Sequence, residues 1–164
     1  MIPVRIGYGY DVHRLQSGGV LKLGGIVVSR DVSPVAHSDG DVLLHAIADA
    51  LLGAAALGDI GMHFPDDDER YRGIDSGELL VRVVEMLKEA GYRPGNVDAT
   101  VVLEKPKLRP FINTMRERVA AILAVEPSFV SIKATTSEKM GFVGSGEGIA
   151  AHAVALITVD NAGA

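Results

Sequence analysis

Cysteine is absent from this chain. That removes thiol nucleophiles, disulfide frameworks, iron–sulfur clusters and any zinc site built on thiolates. It also suits a reducing compartment. Tryptophan is absent too, and no uncharged apolar run reaches the roughly 18 residues that a membrane helix needs, so no membrane partner is expected. The first residues, Met1 to Val12, lack the apolar stretch and small-residue cleavage site of a signal peptide, and the expectation is a cytoplasmic protein. Cations are in the minority, with 16 Lys and Arg against 21 Asp and Glu and a net charge of −5. A broad basic face is therefore not available, and no nucleic-acid partner is expected. On its face the same balance also argues against a phosphate-rich substrate.

What is present points to one domain. A chain of 164 residues can bury a real core unaided, and the expected division is a single domain over 1–160 with a short tail at 161–164. Residues 5–14 alternate, with Ile6, Tyr8, Tyr10 and Val12 on one face of a strand and Gly7, Gly9, Asp11 and His13 on the other. Ser17-Gly18-Gly19 predicts a turn into a second strand over 20–28, forming a hairpin with the first. Helices are predicted over 39–57, capped by Asp39, over 75–90, capped by Asp75 or Ser76, and over 110–124. Further strands are predicted at 96–104, 129–135 and 149–159. The expected fold is α/β (α+β), a mixed sheet covered by about three helices. The last strand is apolar on both faces, which fits either subunit association or a central buried strand.

Asp11-Val12-His13 places a carboxylate and an imidazole on one face of a strand, where both can grip one ion. Asp41, His45 and Asp49 recur at four-residue spacing as a polar stripe on an otherwise apolar helix. Polar groups there cost burial energy unless partnered, and His45 as a third ligand, with an acid orienting its other ring nitrogen, is one solution. A solvated helix face is the other. Two His and one Asp leave one tetrahedral position open, which suits catalytic rather than structural zinc. His152, on the apolar last strand, reads as a packed or subunit-contact residue.

Three other segments can meet phosphate or substrate. His37-Ser38-Asp39-Gly40-Asp41 leads into a helix whose first N–H groups can hold phosphate oxygens, although its acids oppose this without cations. Asp59 to Asp66 has the look of a substrate loop or an acidic surface loop. Ala134-Thr135-Thr136-Ser137-Glu138 ends a strand with hydroxyls and a carboxylate able to share a hard cation with phosphates, or else to cap a turn. The Gly-x-x-Gly-x-Gly of 141–146 has neither Walker nor Rossmann order and carries no nucleotide-fold reading.

Taken in order, DVH at 11–13, AHSDGDVLLHA at 36–46, DALLGAAALGDIG at 49–61, FPD at 64–66, GNVD at 95–98 and KATTSEKMGF at 133–142 resemble the 2-C-methyl-D-erythritol 2,4-cyclodiphosphate synthase family. The likeness runs from about Arg5 to Val159. It implies a homotrimer with interfacial active sites and a metal-dependent lyase of the non-mevalonate isoprenoid pathway. That enzyme cyclises 4-diphosphocytidyl-2-C-methyl-D-erythritol 2-phosphate and releases CMP. The resemblance implies that Asp11, His13 and His45 bind one Zn²⁺ per active site, and that Glu138 holds Mg²⁺ or Mn²⁺ at the nucleotide diphosphate. It implies that His37 and Thr136 are catalytic and polarise the phosphates, with Ser38 beside them. Asp59, Ile60, Gly61, Phe64, Pro65 and Asp66 are implied around the methylerythritol. Leu103, Pro106, Lys107, Leu108 and Arg109, with Ala134, Thr135 and Phe142, complete the implied substrate contacts. One departure stands out: Ser145 occupies a position where the family usually has Arg, which implies weak binding of prenyl diphosphates along the trimer axis. Two rivals stand beside this reading, a zinc phosphohydrolase releasing inorganic phosphate and a non-enzymatic metal- or nucleotide-binding protein.

Overall fold

The computed structural model describes residues 4–160, so the expected tail at 161–164 lies outside the described residues. Five strands form one mixed sheet in the order β4-β1-β7-β5-β6: β1 (Val4–Ser17), β4 (Val32–Pro34), β5 (Tyr92–Val102), β6 (Val130–Thr135) and β7 (Gly148–Val159). All neighbours run antiparallel except β5 and β6, which are parallel. Three long helices, α1 (Val42–Ala55), α3 (Ser76–Glu89) and α4 (Ile112–Leu123), join two single turns, α2 (Ile60–His63) and α5 (Gly141–Gly144). This is the expected α+β architecture with about three main helices. Among the described residues no helix is long and apolar enough to cross a membrane.

The core follows from α1, whose side chains are buried on nearly every side because it is enclosed between the sheet and α3. Its contact with β1 is made almost without side chains. A Cβ on Gly9 would stand 1.9 Å from the carbonyl oxygen of Ala46, and one on Gly7 1.9 Å from that of Ala50. Two glycines on the strand and a row of alanines on the helix thus bring the two backbones together. Further along the same strand face come Asp11 and His13, which this close approach places against His45.

The second strand departs from expectation. Residues 20–28 divide into β2 (Leu21–Leu23) and β3 (Ile26–Ser29), a hairpin closed on itself rather than on β1. Gly24 and Gly25, with φ of 61° and 77°, supply the paired left-handed residues that such a tight turn requires. The hairpin partner of β1 is β4, and β7 lies along its other edge. The helix cap also moves. Asp41, not Asp39, caps α1, its Oδ1 accepting from Leu44 N–H at 3.1 Å. Asp75 caps α3, and a 3-10 turn over Arg109–Phe111 delays α4 to Ile112. The strand expected at 96–104 begins at Tyr92, because it pairs with β7 along that length through an irregularity near Gly95.

Both faces of β7 are apolar, but only one is covered along its length. Ile149, Ala151, Ala153, Ala155 and Ile157 pack on the core. On the other face Val154 remains exposed beside Ile6 at 68%, Tyr8 at 60%, Tyr10 and Val12 of β1. His152 packs there as expected, Nδ1 2.9 Å from the Tyr8 hydroxyl and its ring against Tyr10.

Candidate active site

Asp11, His13 and His45 converge on one point. Asp11 Oδ2 lies 2.9 Å from His45 Nδ1 and 3.1 Å from His13 Nε2, and the two ring nitrogens are 3.4 Å apart. Tetrahedral zinc with bonds of about 2.0 Å separates its ligand atoms by about 3.3 Å, so the triad has the donor types and spacing for three corners. Among the described residues this is the single His/Cys/Asp/Glu cluster with such spacing. Burial pushes the Asp11 carboxyl up, but hydrogen bonds and charge from His13 and His45 outweigh it and hold the group at about 2. The reciprocal effect appears at His45. Burial lowers its pKa, while Asp11, with Asp41 and Asp39 behind, raises it above the ordinary value.

The polar stripe on α1 resolves into three separate tasks rather than a solvated face. Asp41 is wholly buried, binding Gly24 N–H at 3.0 Å and Gly25 N–H at 2.7 Å, and so ties the hairpin turn to the helix start. Burial raises its pKa despite those donors. Asp49 accepts from Ile60 N–H at 2.7 Å and anchors the loop that carries α2. Neither acid orients His45. That partner is the buried Ser76 hydroxyl, 2.8 Å from Nε2, which the sequence showed only as a candidate helix cap.

The triad opens into a cavity of about 680 Å³. His37, Ser38, Ile60, Gly61, Phe64, Pro65 and Asp66 line it, so the two predicted loops meet at the metal position. Asp59 does not line the cavity, since it caps α2 by accepting from Met62 N–H at 3.0 Å. Tyr71, Ile74 and Leu79 also line the wall and were missed. Tyr71 packs edge-on against Phe64, a contact with no sequence signal because Phe64 ends α2 and Tyr71 ends a separate 3-10 turn over Glu69–Tyr71.

A second cavity, of about 420 Å³, lies beyond the ends of β5 and β6. Leu103, Pro106, Lys107, Leu108 and Arg109 form one wall, with Ala134, Thr135 and Thr136 opposite and a cis Lys105–Pro106 peptide between Leu103 and Leu108. Ile112 and Ile132 add apolar lining that the sequence reading omitted. Glu138 and Phe142 line neither of these two cavities. Phe142 lies in a smaller one of about 200 Å³ with His13 and Glu147. Glu138 sits on an exposed turn where Thr136 Oγ1 donates to its Oε1 at 3.1 Å. Glu138 and Lys139 both take left-handed backbone, at φ 53° and 64°, strain that is held in place from outside the turn. Glu104 does this, its Oε1 accepting from Ser137 N–H at 2.9 Å and Lys139 N–H at 3.4 Å.

The YgbB family profile matches residues 4–158. The chain belongs to the YgbB family. The 2-C-methyl-D-erythritol 2,4-cyclodiphosphate synthase of Thioalkalivibrio sulfidiphilus is 59% identical over 157 residues, covering 96% of this chain and 98% of the relative. Among solved structures, the bifunctional IspDF of Campylobacter jejuni superposes with a TM-score of 0.92 at 38% identity, over 95% of this chain and 42% of that one. IspF of Plasmodium falciparum, solved as a CDP complex, gives 0.85 at 31% identity over 98% and 99%. The YgbB family match therefore spans nearly all of the described chain.

Proposed function

We propose that this chain is a 2-C-methyl-D-erythritol 2,4-cyclodiphosphate synthase. In the proposed reaction the 2-phosphate of 4-diphosphocytidyl-2-C-methyl-D-erythritol 2-phosphate attacks the β-phosphorus, closing the ring and expelling CMP. The observation that carries the reading is the Asp11–His13–His45 convergence at the mouth of a cavity, in a chain 59% identical to a synthase of that name. The chemistry matches the residues present. The nucleophile is already an anionic phosphate and CMP leaves as an anion, so no activated serine, cysteine or lysine is needed. What the site must supply is folding of a flexible polyanion and neutralisation of the repulsion between its phosphates.

Asp11, His13 and His45 are the proposed zinc ligands. Zinc bound there would supply a Lewis acid to a phosphate oxygen. His37 has its Nε2–H committed to the Asp68 carbonyl at 3.1 Å, which fixes the ring at the cavity wall beside Ser38. It and Thr136 are the proposed catalytic polarising groups. Ile60, Gly61, Phe64, Pro65 and Asp66 would enclose the methylerythritol, with Asp59 holding their loop through its cap on α2. The second cavity, with apolar walls and the Lys107 and Arg109 side chains at its rim, suits a cytidine, and the CDP complex of the Plasmodium falciparum relative supports that assignment. Glu138, a single exposed carboxylate, can hold Mg²⁺ or Mn²⁺ only together with oxygens from the substrate diphosphate, which is the sharing the reaction needs.

The reading includes a homotrimer with sites between subunits, in the cytoplasm. The two cavities share no lining residue, and β7 and β5 separate the strand bearing Asp11 from the strand bearing Thr135. Three strand spacings amount to roughly 14 Å. A second copy laid against the uncovered face of β1 and β7 would bury Tyr8, Ile6 and Val154 and bring one chain's triad toward another's nucleotide cavity. Phosphorus NMR on the cytidine diphosphate substrate tests the chemistry. A cyclic diphosphate with equimolar CMP supports it, and inorganic phosphate as product overturns it. A folded His45→Ala variant should lose CMP release, and normal turnover by that variant would remove zinc from the proposal.

A further inference from the structure

We propose that Ser76 and Asp39 form a hydrogen-bonded relay that decides which nitrogen of His45 faces the metal position, making both positioning residues. The inference rests on the zinc reading above and deepens it. Ser76 is 1% exposed and heads α3, and its Oγ lies 2.8 Å from His45 Nε2. The same hydroxyl donates to Asp39 Oδ1, and Ser76 N–H donates to Asp39 Oδ2 at 3.2 Å. A serine hydroxyl has one hydrogen. With that hydrogen directed to the carboxylate, the oxygen can only accept from the ring, so Nε2 carries the proton. His45 Nδ1, 2.9 Å from Asp11 Oδ2, then presents its lone pair at the point shared with His13.

The far end of the relay is also fixed. Asp41 N–H donates to Asp39 Oδ1 at 3.3 Å, and Lys22 Nζ lies 3.4 Å from Oδ2 while reaching Asp75, the cap of α3, at 2.9 Å. Asp39 thus stays facing Ser76, held by the Asp41 N–H, by Lys22 of β2 and by Ser76 itself. Ser38 Oγ is a second neighbour of Nε2 at 3.3 Å, but it accepts from Gly40 N–H and has no carboxylate behind it. Neither Asp39 nor Ser76 lines either large cavity, so neither is placed to touch substrate. Their effect passes through the imidazole: a settled tautomer, a settled ring orientation and a more basic ligand nitrogen.

The test compares metal-free wild-type protein with Ser76→Ala, Ser76→Thr and Asp39→Asn, each checked for fold by circular dichroism. Zinc dissociation constants come from competition with a chromophoric chelator, and Co²⁺ substitution reports ligand geometry through its visible bands. Ser76→Ala and Asp39→Asn should weaken zinc roughly 10- to 100-fold and shift the Co²⁺ spectrum, while Ser76→Thr, which keeps the hydroxyl, restores both. Should Ser76→Ala fail to fold, Asp39→Asn, nearly the same size and shape, decides the matter alone. Wild-type affinity and an unchanged Co²⁺ spectrum in folded Asp39→Asn overturn the relay while leaving the zinc site standing. Failure of the wild-type protein to bind zinc overturns both.

Discussion

At Asp11, His13 and His45 the donor atoms already stand 2.9 to 3.4 Å apart, packed between a strand and a buried helix. The turn from Thr135 to Lys139 is largely exposed, with two left-handed residues steadied by Glu104, which accepts from Ser137 and Lys139 N–H. The first half-site is completed within one chain because β1 and α1 meet backbone to backbone, which leaves the attached side chains no freedom to disperse. The second shapes an apolar pocket and a set of hydroxyls, with Lys107 and Arg109 on its wall and Glu138 on the exposed turn beside Thr136. In the proposed reaction that contrast would suit a substrate that brings the second cation with it and folds between the two regions.

The largest effect that breaks this contrast comes from filling the strand–helix contact. Gly9→Ala places a methyl 1.9 Å from the Ala46 carbonyl oxygen, with backbone on both sides and nothing flexible to yield. The loss should reach or pass the upper end of about 1–3 kcal/mol in denaturant unfolding, and an unchanged midpoint would refute the packing. Metal loading comes next. The raised pKa of His45 means protons compete with zinc above pH 6.5, so affinity should climb by up to roughly tenfold per pH unit through that range and then level. The sign for the metal-free fold is opposite. A raised imidazole pKa stabilises the folded chain below 6.5, and that contribution is lost as pH rises through the folded value.

A change confined to the second half-site should leave the first intact. Glu104→Ala frees the Ser137 and Lys139 N–H groups, and kcat should fall by about ten- to a hundredfold with zinc affinity unchanged. Equal losses in both readouts would show that the two halves are not independent. The smallest effect is electrostatic. Burial raises Asp75, but Lys22 and the Gly77 N–H outweigh it and hold its pKa below 3.8. Its stabilising contribution is complete above that value and is lost as pH falls towards the lower folded value. Lys22→Met should therefore flatten the acid limb of the stability curve by about 0.2–1 kcal/mol, read from urea melts between roughly pH 5 and 2.5.

The convergence of Asp11, His13 and His45 is legible in the ordered motifs themselves. Asp11 and His13 share a strand face by their spacing, and His45 is the one imidazole on the apolar helix. The net charge of −5 is a poor guide to phosphate, because several acids, such as Asp41, Asp59 and Asp75, are spent as helix caps rather than as free surface charge. The hairpin was misplaced because alternation identifies a strand but not its partner. Gly24 and Gly25 close β2 onto β3 with their N–H groups received by Asp41, 17 and 16 residues away in sequence.

The sequence by itself determined the element types, the apolar helix α1, the ligand chemistry left once cysteine is excluded, and the family. Local periodicity and donor identity are carried by neighbouring residues, so one dimension suffices to read them. The tertiary structure alone decided which acid does what. Asp39, Asp41 and Asp49 look alike in the sequence, yet one backs Ser76, one caps α1 from full burial, and one anchors the α2 loop. Those tasks depend on Ser76, Gly24 and Ile60 arriving from other elements, and a carboxylate's role is set by the donors that reach it, not by its place in the chain.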